Sequence, residues 1–244
     1  MNAEGRSVLV TGGTRGIGKA IALRFAADGA KRITLGYLRN DSGAEAAAGE
    51  LRDAGAEPVL VRGNVASERV IKELASHGPY GVVVHNAATG VVRTALETED
   101  KHWDWTLNAN ARSLLSLARA CAPDMEPGSS IVAVSSLGST HVLPNYILIG
   151  TSKAALESLV RYLAVELASR DIRVNAVSAG VVETSALDYF PNRDEMLATR
   201  ERTPAGRLVE PDDVAGAVAY LCSPDAAMIR GQTLIVDGGY SLLA

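Results

Sequence analysis

The stretch Val10-Thr11-Gly12-Gly13-Thr14-Arg15-Gly16-Ile17-Gly18 decides the fold. A short apolar run, Ser7–Val10, leads into it, and a helical pattern, Gly16–Asp28, leaves it. Glycines between a strand and a helix let the backbone come close to a pyrophosphate. The helix N-terminus then offers free N–H groups and the positive end of its dipole. Glycine spacing alone is a weak signal; its place directly after the first strand makes it strong. Gly12, Gly13, Thr14, Arg15, Gly16, Ile17 and Gly18 are therefore candidate dinucleotide contacts.

Outward from this turn, strand-like and helix-like segments alternate to the end of the chain. The strand-like runs are Ser7–Val10, Arg32–Tyr37, Pro58–Arg62, Gly81–His85, Ser130–Ser135, Arg173–Ser178 and Gln232–Val236. Several are apolar without alternation, as parallel strands buried on both faces are. Helical patterns occupy Gly16–Asp28, Ala44–Ala54, Trp103–Ala122, Lys153–Ser169 and Pro211–Leu221. In Lys153–Ser169, the residues Leu156, Leu159, Val160, Leu163 and Leu167 recur at helical spacing. The order predicts one doubly wound α/β domain of the Rossmann type over residues 1–244, with about seven parallel strands and helices on both faces. The polar segment 184–207, with Pro191 and Pro204, interrupts the alternation and is a candidate substrate lid.

Composition narrows the classes. Of the 244 residues, 47% are hydrophobic, enough for a large core, and the formal net charge of −4 argues against nucleic-acid binding. No apolar run reaches membrane-spanning length, and Met1–Arg6 has no secretory h-region, so a cytoplasmic location is expected. Cys121 and Cys222 sit in apolar helical patterns and read as buried thiols. His77, His85, His102 and His141 are scattered, and no metal site is expected.

The cofactor is read from the end of the second strand. Sites that prefer NAD place an acid about 20 residues beyond the glycines, on the ribose hydroxyl. Leu35-Gly36-Tyr37-Leu38-Arg39-Asn40 holds no acid. Arg39 and Arg15 suit a 2′-phosphate, because guanidinium is planar and always charged. Asp41, just beyond, is the competing reading. The expectation is NADPH.

Further landmarks follow at strand ends: Asn64-Val65, His85-Asn86-Ala87-Ala88, Ser135-Ser136 and Ser178-Ala179-Gly180, with Asn110 and Lys153 on the helices between. The whole set resembles the short-chain dehydrogenase/reductase family over nearly the full chain. The glycine turn is similar to that family's TGxxxGxG. The His85–Ala88 stretch is similar to its NNAG, with His and Ala at the outer positions. Asn110, Ser136 and Lys153 match three members of its Asn–Ser–Tyr–Lys set. The resemblance implies that Asn64 and Val65 border the adenine, that Asn86 and Ala87 line the cofactor, and that Val182 and Thr184 face the carboxamide and the phosphates. It also implies a homotetramer assembled through Trp103–Ala122, Lys153–Ser169 and the C-terminal strand region.

One departure sets the chemistry. The family's tyrosine stands four residues before the lysine, and here that position is Ile149. The nearest tyrosine is Tyr146, which gives Tyr-x6-Lys. This spacing resembles the bacterial enoyl-acyl-carrier-protein reductases, and the surroundings, Tyr146-x6-Lys153-Ala-Ala-Leu-Glu and Thr203-Pro-Ala-Gly-Arg207, resemble their type III members. Offsets of four and seven both keep two residues near one helix face. A shift of three residues moves the tyrosine about 4.5 Å along an ideal helix. Conjugate reduction delivers hydride two bonds further from the carbonyl than carbonyl reduction does, so a displaced donor suits an enoyl thioester.

The expected roles follow. Tyr146 stabilises the enolate oxygen, and Lys153 holds the nicotinamide ribose. Ser136 shapes the pocket, and Asn110 supports helix geometry. Leu137, Leu187 and Phe190 are candidate substrate contacts. An acyl carrier protein is the expected partner, with Arg193, Arg200, Arg202 and Arg207 as a candidate docking patch. Two alternatives stay open: a 3-oxoacyl or other carbonyl reductase, and a catalytically silent NADPH-binding regulator.

Overall fold

Seven short strands make the frame, and the central ones are buried by helices from both sides. In this computed structural model the described residues are 5–184, 187 and 192–243. The strands are β1 (Ser7–Thr11), β2 (Arg32–Tyr37), β3 (Glu57–Arg62), β4 (Val82–His85), β5 (Ser130–Ser136), β6 (Arg173–Ala179) and β7 (Thr233–Val236). The helices are α1 (Gly16–Ala27), α2 (Asp41–Asp53), α3 (Glu68–Ser76), α4 (Asp100–Leu107), α5 (Ser113–Cys121), α6 (Ile147–Glu166), α7 (Arg193–Ala198) and α8 (Pro211–Leu221).

The sheet is parallel throughout, in the order β3-β2-β1-β4-β5-β6-β7. This is the doubly wound arrangement that the alternation predicts. Side chains of β1 alternate between two cores, as a period of two requires. Val8 and Val10 join Ile21 and Phe25 of α1 and Val214 and Val218 of α8 on one face. Leu9 joins Leu74 of α3, Leu114 and Leu117 of α5 and Leu156 and Val160 of α6 on the other. Each such fully buried side chain contributes roughly 1.5–3 kcal/mol.

The chain order reverses between β1 and β4, where Thr11 pairs with His85. Open α/β sheets bind ligands at the carboxyl ends of strands at such a switch point. No helix among the described residues is long and apolar enough to cross a membrane. None of their His, Cys, Asp and Glu side chains cluster in a way that could hold a metal.

Several expected boundaries move. The pattern Lys153–Ser169 predicts a helix six residues late, since α6 already begins at Ile147. Gly150, Thr151 and Ser152 are poor helix formers, but packing overrides them: a Cβ at Gly150 would stand 2.6 Å from the Gly138 carbonyl oxygen. The single helix expected over Trp103–Ala122 is α4 and α5 joined by a π-helical turn, Asn108–Arg112. Helix α3, with Val70, Ile71 and Leu74 buried, carries too short a pattern to stand out in the sequence. The segment 184–207 contains α7 and a 3-10 turn, Thr199–Arg202.

Candidate active site

The glycine turn forms the floor of the site. Gly12 takes φ +64°, a left-handed backbone that side chains rarely adopt. A Cβ there would also sit 3.0 Å from the Asn86 amide nitrogen. A Cβ at Gly18 would collide with the Gly12 carbonyl oxygen. The turn therefore folds flat against the first turn of α1. Thr14 and Ile17 are half-buried, and Ile17 packs on the α1-side core. Arg15, the N-cap of α1, makes no side-chain cap, so the helix's first N–H groups are left for another acceptor.

The ends of β1 and β4 are stitched together here. The Thr11 hydroxyl donates to the Val84 carbonyl (3.4 Å) and accepts from the backbone N–H of Asn86 and of Ala87, both at 3.1 Å. The Asn86 amide donates to the Thr11 and Gly12 carbonyls, each at 3.0 Å. Thr184 reaches back over the turn: a Cβ on Gly16 would lie 3.3 Å from its methyl. Val182 is buried and bridges Val209. Thus Gly12–Gly18, Asn86, Ala87 and Thr184 come together, although Gly12 and Thr184 stand 172 positions apart in the chain.

Arg39 and Arg15 are both exposed and have no ion pair or hydrogen bond among the described residues. Asp41, the competing reading, is the first residue of α2. Its carboxylate accepts from the Tyr37 hydroxyl at 3.0 Å and pairs with Arg62 at 3.1 Å. Asn64 turns its carbonyl onto the N–H of Ala66 at 2.9 Å, while Val65 packs against the core.

Across the strand ends stand the groups expected to do chemistry. Tyr146 is the N-cap of α6 and is half-buried. Its hydroxyl donates to the Ser136 hydroxyl at 3.5 Å. Its ring lies on Gly138, where a Cβ would approach to 2.6 Å. Burial raises the Tyr146 phenol above its ordinary pKa, and the hydrogen bond to Ser136 acts in the opposite direction. Ile149 is buried on the next turn, and a Cβ on Gly90 would strike it.

Lys153 is almost wholly buried, and its ammonium donates to the Val134 carbonyl at 2.7 Å. Burial pushes its pKa down to about 8, against the attraction of Glu157. Asn110, on the π-helical turn, uses its whole amide within the protein. It donates to the Thr89 carbonyl at 2.8 Å and to the Ser152 hydroxyl at 2.9 Å, and accepts from the Thr89 N–H at 2.8 Å. Asn110 thus ties the loop after β4 to α6. Single-turn π-bulges of this kind recur at functional sites.

Leu137 and Leu187 are buried; Phe190 lies outside the described residues. The sequence reading gives no individual role to His85, Ser113, Ser135 or Glu157. Glu157 carried a legible signal, an acid beside Leu156 and Val160 on the buried face of α6. The pairing of His85 with Ser113 spans β4 and α5, and no local pattern announces it.

A family model described as enoyl-(acyl carrier protein) reductase matches residues 12–241. The 1-cyclohexenylcarbonyl-CoA reductase of Streptomyces collinus is 34% identical over 251 residues, covering 99% of this chain and 89% of that protein. The 3-oxoacyl-acyl-carrier-protein reductase FabG of Vibrio cholerae is 35% identical over 247 residues, the whole of both. Among solved structures, a Burkholderia cenocepacia short chain dehydrogenase in complex with NADP superposes with TM-score 0.91 at 31% identity, over 99% of this chain and 100% of that one. A blue fluorescent protein from a metagenomic library, in complex with NADPH, superposes with TM-score 0.89 at 30% identity, over 99% and 100%.

Proposed function

This chain belongs to the short-chain dehydrogenase/reductase family, and on that premise we propose that it reduces the 2,3 double bond of enoyl thioesters with NADPH. The observation that carries this reading is the position of Tyr146. It is the tyrosine beside Ser136, seven residues before Lys153, while the usual tyrosine position holds buried Ile149.

The residues present fit a dinucleotide phosphate. The glycine cradle leaves no room for side chains, the α1 N-terminus is uncapped, and two unpaired guanidiniums stand near the end of β2 and on the turn. Gly12–Gly18 and Thr184 would hold the pyrophosphate, and Arg15 and Arg39 the 2′-phosphate. Val182, Asn86 and Ala87 would border the nicotinamide half, and Asn64 and Val65 the adenine. When bound, NADPH supplies the hydride that the β-carbon of the substrate accepts.

The protein's own part is electrostatic. Negative charge builds on the thioester oxygen as the β-carbon is reduced. Tyr146 donates a hydrogen bond to that oxygen, and solvent supplies the proton that completes the reduction. Lys153 adds positive charge from below and holds the ribose hydroxyls. Ser136 orients the Tyr146 hydroxyl. Asn110 fixes the bulge that aligns α6, and Leu137 and Leu187 line the acyl side. An acyl carrier protein or coenzyme A carries the substrate, in keeping with the names of the relatives from Vibrio cholerae and Streptomyces collinus.

The test is direct. Purified protein with NADPH is offered crotonyl and acetoacetyl thioesters, and absorbance at 340 nm is followed. Crotonyl-dependent oxidation is the expected result. Turnover of acetoacetyl thioester alone would make the protein a 3-oxoacyl reductase, the activity named for the Vibrio relative. Turnover of neither would favour a silent NADPH-binding regulator.

A further inference from the structure

Two charged side chains are buried one helical turn apart on α6. Lys153 is 4% exposed and Glu157 is 7% exposed. Neighbours at this spacing share a helix face. They do not meet in a direct ion pair. Each is held by its own partner on β5, and the two partners are adjacent. Lys153 donates to the Val134 carbonyl at 2.7 Å, and the Ser135 hydroxyl donates to the Glu157 carboxylate at 2.5 Å. Strand β5 thus fixes the distance between cation and anion.

An isolated ammonium in the interior is costly, and it neutralises unless an opposite charge accompanies it. Screening by salt is weak between buried groups, so a fixed carboxylate a turn away is felt fully. We propose that Glu157 is a positioning residue for Lys153: clasped by Ser135, its buried carboxylate keeps Lys153 an ammonium, held at the place where it serves the cofactor. The inference rests on reading Lys153 as the cation that faces the cofactor.

The other titratable groups around Lys153 do not replace this anion. His85, at the end of β4, is neutral because burial and the Lys153 charge push its pKa down to about 3. Tyr146, at the start of α6, is an uncharged phenol whose pKa burial raises. From the π-helical turn, Asn110 contributes only an amide, which reaches α6 through Ser152. Among the described groups, Glu157 is the one whose charge favours the ammonium.

The experiment reads Lys153 itself. Full-length protein labelled with 13C-lysine is titrated by NMR without cofactor, and the Lys153 Cε signal is identified by its absence from Lys153→Ala. Glu157→Gln keeps the shape and an acceptor for Ser135 but removes the charge. It is expected to lower the Lys153 pKa by about one unit or more. The alkaline limb of kcat/KM for the crotonyl thioester should move to lower pH by the same interval, with the rate at pH 6 changed by less than about threefold. Glu157→Asp keeps the charge and withdraws it by one methylene; a smaller fall in the same direction is expected. An unmoved Lys153 titration in whichever variant folds overturns the proposal, as does a rate lost equally at every pH. The titration needs neither cofactor nor substrate, so its failure is distinct from failure of the crotonyl assay.

Discussion

The Tyr146 hydroxyl stands 3.5 Å from the Ser136 hydroxyl, bridging the first residue before α6 to the last residue of β5. Removing only that hydroxyl isolates its contribution. Tyr146→Phe is expected to slow enoyl reduction by roughly 10²-fold or more, the scale of a lost acid–base group, with NADPH affinity little changed. Near-normal turnover in this variant would refute the assignment. Ile149→Tyr must fit a larger ring where Gly90 already leaves Ile149 no slack. It should therefore not speed enoyl reduction, and any gained activity should fall on 3-oxoacyl thioesters.

The cofactor preference follows from charges at the end of β2. Arg15 and Arg39 are unpaired, whereas Asp41 is already engaged by Tyr37 and Arg62. Dissociation constants from fluorescence titration should favour NADPH over NADH by at least about tenfold, or about 1.4 kcal/mol. Arg39→Ala should lose most of that preference, and Asp41→Asn should keep it. Equal affinities in the wild-type protein would overturn the reading of the arginines.

These two arguments differ in how much of them the sequence carried. The glycine turn is legible because each glycine answers a local steric demand, such as Gly18 against the Gly12 carbonyl. The pairing of Tyr146 with Ser136 is legible because the one stands just before α6 and the other ends the preceding strand. The start of α6 is not, because the contact of Gly150 with Gly138 decides it against local propensity. The bulge at Asn110 is not either: the amide that exploits it reaches Thr89 and Ser152 from far along the chain, and no local pattern marks those partners.

Assembly is testable through the apolar side chains left in water. Trp103 and Trp105 of α4, Tyr162 and Val165 of α6, and Leu234 and Ile235 of β7 are all exposed, and β7 is an edge strand of the sheet. Edges and patches of this kind are normally covered. We propose a homotetramer that covers them. Light scattering at micromolar concentration should give about four times the 25.5 kDa of one chain. Tyr162→Asp with Val165→Asp should reduce that mass. A wild-type mass of a single chain would rule the assembly out.

His85 makes the fold sensitive to acid. The Ser113 hydroxyl has one proton, and it is donated to the Ala109 carbonyl at 2.6 Å. The contact of 2.6 Å between Ser113 and His85 Nε2 must then use a proton on the imidazole. His85 is therefore the neutral Nε2–H tautomer, completely buried. Burial, and next the Lys153 charge, lower its pKa from 6.5 to about 3. The sign follows from linkage: between those values the unfolded chain binds the proton and the folded chain does not, so stability falls as pH falls below 6.5. The loss is about 1.4 kcal/mol per pH unit. His85→Asn, which restores the family's usual residue and can still donate toward Ser113, should abolish this slope. Urea unfolding at pH 6.5 and pH 5 should show the wild type losing about 2 kcal/mol more than the variant across that interval. Equal losses in the two proteins would mean that His85 takes up its proton without unfolding, and that the buried neutral tautomer is not the state that matters.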